Sequence, residues 1–282
     1  MKIYLIAFSS FLFLLPLASS AAEKIDMNFS TYYKKPCNSI TSKNFGDDWC
    51  NPGNDVEIRP NLVVIGDSYS NAITTFLDSI LLNQKNAFSY QQFARGQCPS
   101  LIGYGPEYCR EITESQLNFI KSKPEIKNIA IAADWEEYYN NKDFKWVNYK
   151  ATQQEFRESL VSTIKTYKSL NKNVILILSP PITRVDPHTC LSRGMNTANE
   201  EKCTITEKQV YLDQTYREFL APLSQEMGIK IFDPVKYFCA QGTCKLVNSG
   251  KVYFVGASHL SGNGGAFLAS TGGNDFMKLL KR

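Results

Sequence analysis

The sequence predicts an α/β protein with three layers, α/β/α, around a central parallel sheet of about five strands. Three observations carry that prediction. Short, continuous apolar runs recur along the chain, as strands buried on both faces require. Segments with apolar residues at helical spacing separate these runs. No internal repeat or linker interrupts the alternation, so residues 61–282 read as one domain.

The elements follow in order. Residues 61–65 are an apolar strand that runs directly into Gly66, Asp67 and Ser68. Ala72, Ile73, Phe76, Leu77 and Ile80 then recur at helical spacing, so Ser68 sits where a buried strand turns into a helix. A second strand is expected over 87–93, a helix over 112–120 and a third strand over 127–133. A long amphipathic helix spans 149–170, with Phe156, Leu160, Ile164 and Tyr167 on one stripe. Residues 174–178 form the clearest strand, stopped by Ser179, Pro180 and Pro181. One helix over 205–227 and a strand over 229–232 come next. A hairpin turns at 248–250, and a segment over 261–280 begins rich in glycine and ends as a helix.

Composition and flanks narrow the function. The 282 residues are 43% hydrophobic and 21% charged, enough apolar material for a core and unlike a disordered chain. The formal charge is +4, and no Lys/Arg block accompanies it, so no nucleic-acid partner is expected. Residues 1–22 read as a secretory signal peptide: Lys2, an apolar run to Leu17, then small residues to Ala22. An uncleaved membrane anchor is the competing reading. Residues 23–60 are polar and read as an N-terminal extension. All 8 cysteines lie beyond the signal, and an even number in an exported chain suggests disulfides. They fall in four local couples, and we pair neighbours: Cys37 with Cys50, Cys98 with Cys109, Cys190 with Cys203, and Cys239 with Cys244. Zinc is the weaker alternative, because no Cys-x-x-Cys is present and neither histidine stands in ligand spacing to a cysteine pair. No metal is expected.

In an open parallel sheet, ligands bind beyond the carboxyl ends of the strands. The segments there are Gly66 to Ser68, Arg95 to Cys98, Asp134 with Trp135, and Ser179 to Pro181. Ser68 is the leading nucleophile, its hydroxyl at a strand-to-helix turn and its own N–H able to stabilise an oxyanion. A plain helix-capping serine is the alternative. A nucleophilic serine needs a base, and the chain has 2 histidines, His188 and His259. His259 lies in a late loop that can reach the cleft. His188 reads as a loop residue beside a disulfide.

The turn from Ile65 to Ser68, followed by a helix and a late His259-Leu260-Ser261, resembles the SGNH or GDSL hydrolase superfamily, with its flavodoxin-like fold. Within it the likeness is to SGNH domains fused to, or alongside, membrane acyltransferases that O-acetylate surface polysaccharides or peptidoglycan. Residues 97–101, 131–135 and the stretch from Pro180 to Leu191 support that branch, and the likeness covers about residues 61–282. It implies Ser68 as nucleophile and His259 as general base. Gly96 is our choice for the glycine whose N–H joins that of Ser68 in the oxyanion hole. The family usually places an Asn side-chain donor at the third block, where this chain has Ala133-Asp134-Trp135. Asp67 and Trp135 are then expected to shape the pocket. The family's Asp-x-x-His reads Gly256-Ala257-Ser258-His259 here, so the orienting acid is missing. Three readings compete. A Ser–His dyad has another group holding His259; an enzyme has lost its acid and most of its rate; or a binding module uses a hydrolase fold. If the acid position is simply vacated, Gly256→Asp raises esterase activity strongly.

The resemblance thus implies an exported, Ser- and His-dependent acyl-ester enzyme, an O-acetylesterase or O-acetyltransferase acting on a glycan in the periplasm or outside the cell. It implies no cofactor, and as a transferase it implies an integral-membrane acyltransferase partner as acyl donor. The alternative is a catalytically silent carbohydrate-binding or accessory protein. The glycine-rich stretches at 262–265 and 272–273 do not stand in dinucleotide-binding register after a strand.

Overall fold

The computed structural model describes residues 49–51, 60–84, 87–140, 149–183, 187, 203–256 and 258–280. The expected signal peptide, most of the N-terminal extension, His188, Cys37 and Cys190 lie outside the described residues.

The central sheet has six strands. In chain order they are β1 (Trp49–Asn51), β2 (Leu62–Gly66), β3 (Tyr90–Ala94), β4 (Asn128–Ala132), β5 (Asn173–Ile177) and, after the short β6 (Thr204–Thr206) of a separate sheet, β7 (Lys230–Phe232). The spatial order is β1-β3-β2-β4-β5-β7. Five strands are parallel, and β1 closes the edge antiparallel to β3. Without β1 this is the doubly wound flavodoxin-like order, whose switch point lies between β2 and β4.

Every residue of β2, β3, β4 and β5 is buried, which explains the apolar runs of β2, β4 and β5; β3 also buries Gln91 and Gln92. The two faces are nonetheless distinct. Leu62 and Val64 join one core cluster, while Val63 and Ile65 join the other, as the two-residue side-chain period of a strand dictates. The helices α1 (Ser68–Ala72) and α2 (Thr74–Asn83) come first after β2. Then come α3 (Glu107–Lys121), α4 (Trp135–Tyr139), α5 (Gln153–Ser169), α6 (Glu207–Asp213), α7 (Tyr216–Met227), α8 (Val235–Phe238) and α9 (Gly262–Leu279). Residues of α3, α5 and α7 pack on the Val63 face, and those of α2 and α9 on the Leu62 face. The stripe read from the sequence, Phe156, Leu160, Ile164 and Tyr167, is fully buried on α5. A capping box between Thr152 and Glu155 starts that helix.

Besides the edge strand β1, which falls within the expected N-terminal extension, two elements differ from expectation. The single helix over 205–227 is a strand, β6, and two helices. The break at Gln214 and Thr215 is set from a distance: the buried Glu136 carboxylate accepts from the Thr215 hydroxyl at 3.1 Å and the Tyr216 N–H at 3.3 Å. The Gln214 amide in turn donates to the Pro180 carbonyl at 2.8 Å. The late loop holding His259 is a second short hairpin, residues 254–255 paired antiparallel with 259–260, following the hairpin of 247–248 with 251–252. Disulfides join Cys98 to Cys109 and Cys239 to Cys244. Cys203 is also disulfide-bonded, its partner lying outside the described residues. Among the described residues, no helix is long and apolar enough to cross a membrane.

Candidate active site

The crevice lies beyond the carboxyl ends of β2, β3 and β4, which register pairing sets level: Gly66 stands opposite both Ala94 and Ala132. Gly66 has φ +143°, and a Cβ there would run into the Ala132 carbonyl, so only glycine lets β2 end against β4. Asp67 follows as the N-cap of α1 and places Ser68 at the first helical position.

Asp67 holds this turn. It is 2% exposed. One carboxylate oxygen accepts from the Tyr69 N–H at 2.8 Å. The other accepts from the Tyr138 hydroxyl at 2.7 Å and the Asp134 N–H at 2.9 Å. Burial pushes its pKa up to about 7, outweighing the hydrogen bonds that favour the charged form. Asp67 therefore ties the end of β2 to the end of β4 from behind the site.

On the open side, the Ser68 hydroxyl lies 2.7 Å from Nε2 of His259. The hairpin carrying His259 packs against α1, and the Tyr69 ring lies 4.8 Å from the imidazole, centroid to centroid. Burial lowers the His259 pKa, leaving the ring neutral near pH 7 and able to accept a proton. The Ser258 hydroxyl is the group beside the other ring nitrogen, at 3.5 Å from Nδ1. Gly96 sits two residues beyond β3, in the turn closed by a Cys98 N–H to Arg95 carbonyl bond. The N–H groups of Ser68 and Gly96 donate to no acceptor among the described residues, so both remain available to a ligand oxygen.

Two expectations are corrected. Trp135 is fully buried, donates its indole N–H to the Ile177 carbonyl at 2.8 Å, and packs edge-on against Phe156. It belongs to the core, because an indole at the end of β4 finds its partner on β5. Asp67 is buried behind the turn, its carboxylate oxygens taken up by Tyr69, Tyr138 and Asp134. The apolar pocket nearby, about 250 Å³ with its open mouth, is lined by neither; Tyr69, Ile73, Ala132, Ile177, Pro180 and Leu260 are among its walls. Gly256 lies at the turn of the His259 hairpin with φ +58°, a left-handed conformation that the turn itself demands. Sequence reasoning did not single out Tyr69, Tyr138 or Ser258. Tyr69 and Ser258 each adjoin a recognised residue, and that adjacency was the signal available.

The overall fold is similar to that of solved structures. The described fold superposes on the periplasmic domain of a lipopolysaccharide acetyltransferase from Salmonella ser. Paratyphi A with TM-score 0.59 at 19% identity, covering 77% of this chain and 84% of that one. It is also similar to Est24, a carbohydrate acetylesterase from Sinorhizobium meliloti (TM-score 0.49, 11% identity, 77% and 98% covered), and to the M. smegmatis aryl esterase (0.48, 11%, 78% and 99%). No curated protein matches the sequence. The model of the SGNH domain described as fused to AT3 domains matches residues 36–271. Spanning most of the chain, that match carries the conclusion that the protein belongs to the SGNH family whose domains occur fused to AT3 domains.

Proposed function

We propose that the protein is an exported Ser–His acyl-ester enzyme, an O-acetylesterase or O-acetyltransferase acting on a glycan of the cell envelope or its surroundings. The observation that carries this reading is the 2.7 Å contact between the Ser68 hydroxyl and Nε2 of a neutral, half-buried His259. Ser68 Oγ bonds to the ester carbonyl carbon while its proton passes to Nε2. The N–H groups of Ser68 and Gly96 receive the developing oxyanion. Collapse breaks the bond to the sugar oxygen, and His259 returns the proton to that leaving hydroxyl. A water or a second sugar hydroxyl then gives its proton to Nε2 and attacks the acetyl-Ser68 carbon; the bond from that carbon to Oγ breaks, and Nε2 returns its proton to Ser68. The chemistry uses no cofactor.

The family's pairing of SGNH with AT3 domains favours an integral-membrane acyltransferase as acetyl donor. The periplasmic origin of the Salmonella domain, the disulfides and the expected signal peptide favour a place outside the cytoplasm. Intact-mass measurement of exported protein tests that place: a start after Ala22 and no free thiol before reduction are expected, and eight free thiols refute it. Hydrolysis of p-nitrophenyl acetate tests the chemistry. Ser68→Ala is expected to lower kcat by at least about 10³-fold. Equal rates refute the enzyme and favour a silent glycan-binding protein, the reading that Gly256 in the acid's place supports.

A further inference from the structure

Among the described residues, neither nitrogen of His259 has a carboxylate as its hydrogen-bond partner. Nε2 faces Ser68, and the polar group beside Nδ1 is the Ser258 hydroxyl at 3.5 Å, the outer edge of hydrogen-bond range. The ring leans on Tyr69, a residue 6% exposed whose hydroxyl has no hydrogen-bond partner among the described residues. A buried hydroxyl left unpaired is uncommon and asks for a reason. Two side chains act on it. After burial, the negative charge of Asp134 disfavours the charged phenolate most, and the Ser258 hydroxyl favours it. Burial dominates both and keeps the phenol protonated; Asp67, on the same side, adds to that. Asp134 itself is fixed by its N–H to Asp67 and by accepting the Glu137 N–H at 3.3 Å.

We propose that Ser258 and Tyr69 replace the missing triad acid, joining His259 to the carboxylate of Asp134 through a chain of hydroxyls. The inference rests on the Ser–His reading above. When Ser68 gives its proton to Nε2, the imidazolium carries the positive charge and its Nδ1–H becomes a stronger donor. Nδ1–H donates to Ser258 Oγ, the Ser258 O–H donates to Tyr69 Oη, and the Tyr69 O–H donates to Asp134. No proton leaves any of the three; their aligned dipoles and the carboxylate at the far end stabilise the ion pair. The orienting carboxylate thus comes from the end of β4, and not from the loop before His259. Ser258 and Tyr69 are positioning residues, touching the base and not the substrate.

The test reads the imidazole directly. The chain has 2 histidines, His188 and His259, so ¹⁵N NMR of the full, histidine-labelled protein resolves both rings. His259 is expected to hold its proton on Nδ1. In Ser258→Ala the population is expected to move toward the Nε2–H tautomer and the His259 pKa to fall. In Tyr69→Phe and Asp134→Asn the pKa is expected to fall, and Ser258→Thr, which keeps the hydroxyl, is expected to match wild type. With p-nitrophenyl acetate, Ser258→Ala and Tyr69→Phe are expected to lose about 10- to 100-fold in kcat at constant KM, less than the roughly 10⁴-fold that losing a triad carboxylate costs a serine protease. An unchanged tautomer and pKa in folded Ser258→Ala and Tyr69→Phe overturns the chain, even where Ser68-dependent hydrolysis is present. Shifted NMR with Ser68→Ala hydrolysing as fast as wild type leaves the chain standing and removes the esterase reading instead.

Discussion

Gly256 decides what a restored acid can do. Its φ of +58° lies in the left-handed region, which Asp enters at modest cost and most other residues do not. A Cβ at this position meets nothing within 4 Å, so a new carboxylate has room but no packing that aims it at His259. Ser258 already stands beside Nδ1. Gly256→Asp is therefore expected to fold and to change kcat by less than about tenfold, about 1.4 kcal/mol of barrier. A gain on the order of 10³-fold would mean that Nδ1 has no orienter, as the sequence pattern alone suggests. Strand-end position and a rare histidine made Ser68 and His259 visible in the sequence. Tyr69 and Ser258 were not visible as a pair, because contacts between α1 and a hairpin so distant along the chain leave no periodicity. Trp135 misled for a related reason: an aromatic at a strand end reads as pocket wall until its indole is seen bonded to Ile177.

At the scale of elements, legibility followed burial. The strands around 62–66, 128–132 and 173–177 were readable because a strand covered on both faces must be apolar throughout. The Gln214 break was unreadable because the groups that stabilise it, Glu136 and Pro180, belong to other elements. The edge strand β1 was unreadable because three residues carry no pattern. The turn bearing Gly96 depends on one such local tie: Cys98–Cys109 pins it to the first turn of α3, across a sequence separation of 11. Closing a loop of that size contributes roughly 2–3 kcal/mol through the unfolded chain. The double variant Cys98→Ser, Cys109→Ser is expected to lose about that much in denaturant titration. It is also expected to lose kcat at little change in KM, since a loosened Gly96 N–H weakens oxyanion binding more than ester binding. Full activity with lowered stability would place the oxyanion donor elsewhere than Gly96.

At the scale of the molecule, the site's burial sets the pH response of folding. Burial pushes the Asp67 carboxyl up from its ordinary value of 3.8 to about 7 in the folded protein. The folded state therefore holds this proton more tightly than the unfolded state does. The stability it contributes is fully present below about pH 4 and is lost as pH rises through about 7. His259 acts in the opposite sense. Its pKa is lowered from 6.5 by burial, so its contribution is present above 6.5 and is lost as pH falls through the lower folded value. The two oppose each other between these limits and flatten the wild-type profile. Asp67→Asn removes one of them. Its amide nitrogen would meet the Asp134 N–H donor, so the variant is expected to be less stable at every pH. Its slope is the informative quantity: from pH 4 to 7 the variant is expected to gain stability relative to wild type, by an amount on the order of a few kcal/mol. Denaturation midpoints at pH 4, 5.5, 7 and 8 measure it. A constant difference between the two proteins across that range would mean that Asp67 stays ionised throughout, its three hydrogen bonds outweighing the cost of burying the charge.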